Sequence, residues 1–136
     1  ADALADLYAA SAEDMGIGFR AMIAPGVTMR GDAMQMSRLM SNLLDNAFRH
    51  APPGGTVVFT IAPGPQIMVE DNGKGIAPED RERIFERYTR INPQEGVGHG
   101  LGLALAKAIA ERHALHIEVS DAAPGARFRV LGEETT

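Results

Sequence analysis

Four polar side chains share one narrow ridge of a predicted helix: Asn42, Asp45, Asn46 and Arg49 lie within about one residue's rotation of each other on a helical wheel. Asparagine is a poor residue for a helix interior, because its side chain competes for nearby backbone groups. A solvated helix face is the alternative interpretation, but such faces normally carry long charged side chains. Short amide oxygens on a rigid helix favour a hard cation such as Mg²⁺, which takes oxygen ligands and retains waters and phosphates.

A carboxylate followed by two glycines ends a predicted strand, in Asp71-Asn72-Gly73-Lys74-Gly75. Taken alone, Asn-Gly favours a hairpin turn. A calcium loop is excluded, since Gly73 and Gly75 supply no side-chain oxygen where such a loop needs one. The glycines would let a flat group approach the backbone, and a carboxylate there can accept a hydrogen bond from an exocyclic amine such as that of adenine.

Glycines alternate along the approach to an apolar helix, at Gly96, Gly98, Gly100 and Gly102. Loop flexibility explains the first two. The other two fall at the predicted helix start, where small residues let a ligand reach free backbone N–H groups and the positive end of the helix dipole, which favours phosphate binding. The dinucleotide fingerprint would need glycine where Leu101 stands, and no Lys is followed by Ser or Thr as a Walker A motif requires.

Periodicity and turn residues predict the elements that position these groups. Asp32 is the expected N-cap of the polar-ridged helix, with Gln35 completing a variant of the capping box. Pro78 opens a further helix that brings Ile84, Phe85 and Tyr88 to one side. The other predictions are helices over 3–15, 33–50 and about 100–113, a loop over 89–99, and hairpins pairing 17–23 with 27–30, 56–61 with 66–70, and 115–119 with a strand around 128–130.

Length and composition limit the fold class and the possible partners of the chain. The 136 residues suit a single domain, 1–136, and the order of elements predicts an α+β two-layer sandwich with helices on one sheet face. A net charge of −5 argues against nucleic acid as a partner, and the absence of cysteine excludes disulfides and thiolate zinc sites. Lys107 interrupts the longest apolar run, and residues 1–10 lack a basic leader, so neither a membrane span nor a signal peptide is expected.

With four motifs in order, the chain resembles the catalytic ATP-binding domain of sensor histidine kinases, in the superfamily of gyrase, chaperone and kinase ATPases. Residues 42–47 resemble the N box and 71–75 the G1 box; 84–86 with Arg90 resemble the F box and 98–103 the G2 box. The resemblance covers nearly the whole chain. It implies the Bergerat fold, a mixed sheet covered on one face by helices, and the cofactors ATP and Mg²⁺.

The same resemblance implies roles for individual residues. Asn46 would coordinate Mg²⁺, and Asp71 would bind the adenine amine. The catalytic residues would be Asn42 and Arg49, which contact the phosphates, and Arg90, which approaches the γ-phosphate. His50 lies where many relatives place tyrosine against the base, and residues 95–98 would belong to an ATP lid. The further nucleotide contacts implied are Asp45, Gly73, Gly75, Ile76, Phe85, Tyr88, Gly98, His99, Gly100, Leu101, Gly102 and Leu103.

One departure from the superfamily bears on the reaction. Members that hydrolyse ATP with water, and the anti-sigma serine kinases, carry glutamate where this chain has Asn42, and an amide cannot act as a general base. The chain therefore resembles a domain that holds ATP for an external nucleophile, with positioning and charge neutralisation supplying most of the catalysis. An anti-sigma-type serine kinase and a nucleotide-binding pseudokinase that serves as an interaction module remain the alternatives.

The nucleophile itself is expected on another domain. The four histidines are followed by Ala51, Gly100, Ala114 and Ile117, and none has the acidic neighbour usual at a phospho-accepting histidine. The resemblance implies two-component signal transduction, with a separate dimerisation and phosphotransfer domain as the direct partner of a homodimeric protein and a response regulator as the indirect one. It also implies a cytoplasmic domain without membrane contact, in a full-length protein anchored in the bacterial inner membrane.

Overall fold

The structure is a computed structural model that describes residues 2–26, 32–63, 65–81, 83–85, 99–122 and 125–132. The regular elements in these ranges are α1 (Asp2–Met15), β1 (Gly18–Ile23), α2 (Ala33–His50), β2 (Thr56–Ala62), β3 (Gln66–Asp71), 3₁₀ turns at Pro78–Asp80 and Arg83–Phe85, α3 (His99–Arg112), β4 (Leu115–Asp121) and β5 (Ala126–Gly132).

The five strands form one mixed sheet in the order β1-β2-β3-β5-β4. β1 pairs with β2 in parallel, from Gly18 opposite Thr56 to Ile23 opposite Ile61, and the other neighbours are antiparallel. A parallel pair needs a crossover connection, and α2 lies in it. The predicted hairpins of β2 with β3 and of β4 with β5 are confirmed; residues 27–30, predicted to pair with β1, lie outside the described residues.

The core lies between one face of the sheet and the helices, which confirms the predicted two-layer α+β arrangement. Alternate residues of β2, β3 and β5 are buried, as expected for a sheet covered on one face. The intervening residues carry cross-strand polar pairs such as Arg127 with Glu70, at 3.0 Å. The large side chains that are fully buried are Phe59, Phe128, Leu39, Leu43, Leu44, Val57, Val69 and Val130.

The start of α2 confirms half of the predicted capping box. Asp32 Oδ1 accepts the backbone N–H groups of Met34 and Gln35, at 2.9 and 3.1 Å. The reciprocal bond from Gln35 was predicted wrongly, because the N–H of Asp32 donates to His113 Nε2 at 3.1 Å, and Gln35 Oε1 is buried without a hydrogen-bond partner in the described part of the chain. His113, whose Nδ1 contacts the Ile109 carbonyl, thus ties the end of α3 to the start of α2.

The helix predicted to open at Pro78 is also corrected, because the described residues form two short 3₁₀ turns instead. The first turn closes with the i→i+3 bond from the Arg81 N–H to the Pro78 carbonyl, a pattern common in short connections. Ile84 is buried and Phe85 packs edge-on against Phe128, with ring centroids 6.2 Å apart. Residues 82 and 86–98 lie outside the described residues, and with them the predicted position of Tyr88 and the loop.

Candidate functional site

The polar ridge of α2 carries two amides whose nitrogens find no hydrogen-bond acceptor in the described part of the chain. Asn46 is 5% exposed and Asn42 is half-buried, and the Nδ2 atom of each is buried without a hydrogen-bond partner among the described residues. A buried polar group left unpaired costs about 1–3 kcal/mol, so two of them a turn apart need an explanation. A bound group that accepts hydrogen bonds would provide one.

Asp71 forms the second part of the site, at the end of β3. Its side chain is 4% exposed, and Oδ1 accepts the Gly73 backbone N–H at 2.8 Å. Burial raises the pKa of this carboxyl above its usual range, while backbone N–H groups of Gly73 and Ala126 and the nearby His50 act in the opposite direction. A carboxylate has about four acceptor positions, so capacity remains for a further donor.

The segment after Asp71 is not a hairpin turn, and that alternative is wrong. β3 pairs with β2 and β5, and Asn72 Oδ1 accepts the backbone N–H of Thr56 at 2.8 Å, which fixes the segment to the start of β2. A Cβ atom on Gly73 would lie 2.2 Å from the His50 carbonyl oxygen. Glycine at 73 therefore lets the segment that follows Asp71 pack against the last turn of α2. This contact brings Asp71 close to the polar ridge of α2.

The third part is the start of α3. This helix begins at His99 and places Gly100 and Gly102 in its first turn, as predicted, and a Cβ atom on Gly102 would meet nothing within 4 Å. Unpaired backbone N–H groups and the positive dipole end are general properties of such a start. α3 packs against α2, so the glycines and the amides belong to neighbouring helices.

The structure describes only some of the remaining predicted contacts. Asp45 is exposed and its Oδ1 accepts the phenol proton of Tyr8 on α1, at 2.5 Å. Leu103 is 7% exposed and belongs to the core, and Ile76 is half-buried against it. Arg49 and His50 are exposed in the last turn of α2, and Gly75 has a positive φ of 79°. Those outside the described residues are Tyr88, Arg90, Gly98 and the side chains of His99 and Leu101.

No group of three or more His, Cys, Asp or Glu side chains in the described ranges is arranged to hold a metal ion. None of the helices in those ranges is long and apolar enough to cross a membrane.

Gly125 lies against the backbone of Asp71, a contact that sequence analysis missed because the predicted hairpin of 115–119 with 128–130 says nothing about where its connection packs. Its φ is 103°, and a Cβ atom there would lie 1.8 Å from the Asp71 carbonyl oxygen. Gly125, immediately before the last strand, thus lies directly against the end of β3. A second missed residue is Tyr8, whose hydroxyl gives no periodic signal in the sequence.

Gly125→Ala is expected to lower the free energy of unfolding by about 2 kcal/mol, since it combines an unfavourable φ with a steric clash. Chemical denaturation measures the loss. Gly54→Ala is the matched control: its φ is 73°, but a Cβ atom there meets nothing within 4 Å, so only the conformational cost of about 1 kcal/mol is expected. Equal losses in the two variants would contradict the predicted clash.

Solved structures share this fold. The mycobacterial sensor histidine kinase MprB superposes with a TM-score of 0.76 at 32% identity, over 95% of this chain and 91% of that one. The nucleotide-free catalytic domain of histidine kinase ThkA gives a TM-score of 0.82 at 22% identity, over 95% and 86%, and so speaks for the fold alone. The architecture is that of histidine kinase catalytic domains, which confirms the predicted fold class.

The chain also resembles known proteins in sequence. The model of the family described as histidine kinase-, DNA gyrase B- and HSP90-like ATPase matches residues 31–134. Sensor histidine kinase CusS of Escherichia coli (strain K12) is 38% identical over 129 residues, which are 90% of this chain and 27% of CusS. Histidine-protein kinase/phosphatase MprB of Mycobacterium avium (strain 104) is 40% identical over 102 residues, 71% of this chain and 20% of MprB.

The chain therefore belongs to the histidine kinase-, DNA gyrase B- and HSP90-like ATPase family, as its motifs predicted. It spans about a quarter of the length of relatives such as CusS.

Proposed function

We propose that this chain, as a single domain, binds ATP with Mg²⁺ and donates the γ-phosphate to a histidine on a separate dimerisation and phosphotransfer domain of the same protein. The observation that carries the proposal is the pair of amide nitrogens, on Asn42 and Asn46, that are buried without a partner among the described residues. Two facts about relatives support it: several are named sensor histidine kinases, and full-length ShkA, 27% identical with a TM-score of 0.81, was solved in complex with AMPPNP.

The residues present fit both groups. Amide N–H donors suit phosphate oxygens, and an amide oxygen suits a hard divalent cation. The Nδ2 atoms of Asn42 and Asn46 would therefore donate to phosphate oxygens, and the amide oxygen of Asn46 would hold the metal. Asp71 has acceptor capacity for the adenine amine at a buried position, where loss of a hydrogen-bond partner is most costly. When bound, Mg²⁺ neutralises phosphate charge. That matters for a chain of net charge −5, whose overall field does not attract an anionic nucleotide.

Binding and orientation are the catalytic contribution we assign to this chain. Asn42 stands where a general base would be needed for attack by water, and an amide cannot take that proton. The chain's residues would instead hold the triphosphate for in-line attack by the imidazole of the partner domain, with Arg49 and Arg90 at the phosphates. Such a site would be sufficient, because phosphoryl transfer requires mainly positioning and charge stabilisation from the protein.

The proposal extends to the assembly. A full-length homodimer would supply the histidine-bearing domain, and a response regulator would take the phosphoryl group from it. We place this domain in the cytoplasm of a protein anchored in the bacterial inner membrane.

The test supplies the chain with γ-labelled ATP, Mg²⁺ and the separately produced phosphotransfer domain of the same protein. Acid-labile, base-stable label on that domain, absent when its acceptor histidine is replaced by alanine, is the expected result. Label on a serine of a regulator would instead establish the anti-sigma type of kinase. Tight ATP binding without transfer to either acceptor would establish a pseudokinase.

A further inference from the structure

Tyr8 of α1 makes a partly buried polar contact with α2. The side chain is 8% exposed, and its ring stacks on Phe48 with centroids 5.6 Å apart and an interplanar angle of 17°. The hydroxyl donates to Asp45 Oδ1 at 2.5 Å and lies 2.9 Å from Ser41 Oγ, which can donate to the same phenol oxygen. One hydroxyl thus holds two side chains that are one helical turn apart.

These two side chains directly precede the two amides. Ser41 is followed by Asn42, and Asp45 is followed by Asn46. Successive helix residues differ by a fixed rotation, so holding one pair sets the direction of the other. A side-chain atom about 5 Å from the helix axis moves by about 1 Å when the helix turns by about 10°. A misplacement of that size can cost about a hundredfold in rate at a site of this kind.

The Tyr8 hydroxyl keeps its proton, and with it the hydrogen bond to Asp45, over the physiological pH range. Burial is the largest cause and the hydrogen bond to Asp45 the second of a rise in the pKa of Tyr8 to about 12. The phenol therefore stays protonated and remains a hydrogen-bond donor at any physiological pH. The ring and the hydroxyl also have separable tasks, because stacking on Phe48 does not need the oxygen atom.

We infer that Tyr8 is a positioning residue for the nucleotide site: through Ser41 and Asp45 it sets the rotation of α2 and hence the direction of Asn42 and Asn46. The inference rests on the proposed function, and it gives Asp45 a supporting task on the side of α2 that faces Tyr8. The competing explanation is that Tyr8 only fastens α1 to α2 and contributes to stability.

The variant Tyr8→Phe separates these explanations, because it retains the ring and removes the hydroxyl. The measured quantity is the gain in ATP affinity that Mg²⁺ provides, from calorimetric titrations with Mg²⁺ and with EDTA. We expect the gain to fall at least fivefold. The control is Ile67→Val, a core truncation in β3 at a residue that is 3% exposed, which reduces thermal stability but leaves the Tyr8 hydroxyl and its partners Ser41 and Asp45 unchanged, and which should retain the full gain.

An unchanged gain in Tyr8→Phe would overturn the inference, and so would an equal loss in both variants, which would indicate a purely structural effect. Side-chain amide resonances provide a readout that needs no nucleotide. Those of Asn42 and Asn46 should shift in Tyr8→Phe and remain in place in Ile67→Val. If the wild-type chain bound no ATP at all, the proposed function would fail, and these resonances would still decide whether Tyr8 orients the amides.

A double-mutant cycle then tests the route through Asp45. If Tyr8 acts through this carboxylate, Tyr8→Phe should have little further effect on the Mg²⁺-dependent gain once Asp45→Ala is present. Fully additive effects of the two substitutions would contradict that route.

Discussion

Asp71→Asn is expected to lower the affinity for ATP at least a hundredfold, equivalent to about 2.8 kcal/mol. The substitution keeps the size of the side chain but turns one oxygen acceptor into an amide donor. The adenine amine would then meet another donor at a position that is 4% exposed, where water cannot replace the lost partner. Calorimetric titration with ATP and saturating Mg²⁺ at neutral pH measures the change.

Asp6→Asn is the matched control for this experiment, because it removes the same charge from an exposed residue of α1. Its ATP affinity should equal that of the wild type. Undiminished affinity in Asp71→Asn would remove this carboxylate from the base-recognition site, whatever the outcome for the rest of the nucleotide.

The same variant tests the titration of Asp71. Because burial raises its folded-state pKa above the ordinary 3.8, the folded chain binds this proton more tightly than the unfolded chain. The associated stability is fully present below the unfolded pKa and is lost as pH rises through the folded pKa. The difference in melting temperature, wild type minus Asp71→Asn, should therefore fall between acidic and neutral pH; a rise would contradict the assigned direction.

Asn46→Ala is expected to abolish the Mg²⁺-dependent part of the stabilisation by ATP. A ligand at a hundredfold excess over Kd adds about 2.7 kcal/mol, which for a domain of this size raises the melting temperature by about 10 °C. Because the variant lacks the amide oxygen of Asn46, the rise in its melting temperature caused by ATP with Mg²⁺ should equal the rise that ATP causes in the wild type in EDTA. Differential scanning fluorimetry with ATP, with and without Mg²⁺, measures both.

Gln66→Ala serves as the control, since it removes an amide that bonds to Arg129 on the uncovered face of the sheet, away from α2. It should retain the full Mg²⁺-dependent shift. If Asn46→Ala retained that shift as well, the metal would be held by other groups and the assignment of Asn46 would be wrong.

Several elements could be predicted from the sequence because local signals agree there. The bounds of α2, 33–50, were predicted correctly: an apolar stripe, the Asp32 cap and the Pro52-Pro53 stop all indicate the same helix. The hairpin of β2 and β3 was likewise defined by two β-rich runs around a proline turn. The motif order also predicted the family.

What escaped prediction depends on contacts between distant segments. The parallel pairing of β1 with β2 spans the whole of α2, and a turn at Pro25-Gly26 carries no information about it. The bond from the Asp32 N–H to His113 joins two helix ends 81 residues apart, so local capping rules pointed to Gln35 instead. Within the site, the closeness of Asp71 to α2 follows from the approach of His50 to Gly73, which spacing alone does not show.

Ala114, between α3 and β4, has a φ of 58°, a left-handed conformation that is rare for any residue except glycine. The chain changes direction there to begin the edge strand of the sheet, and an alanine in that conformation costs about 1 kcal/mol that glycine would avoid. Since α3 carries the glycine-rich helix start at its other end, this residue offers a place to adjust heat tolerance by protein engineering while the nucleotide-binding residues stay unchanged.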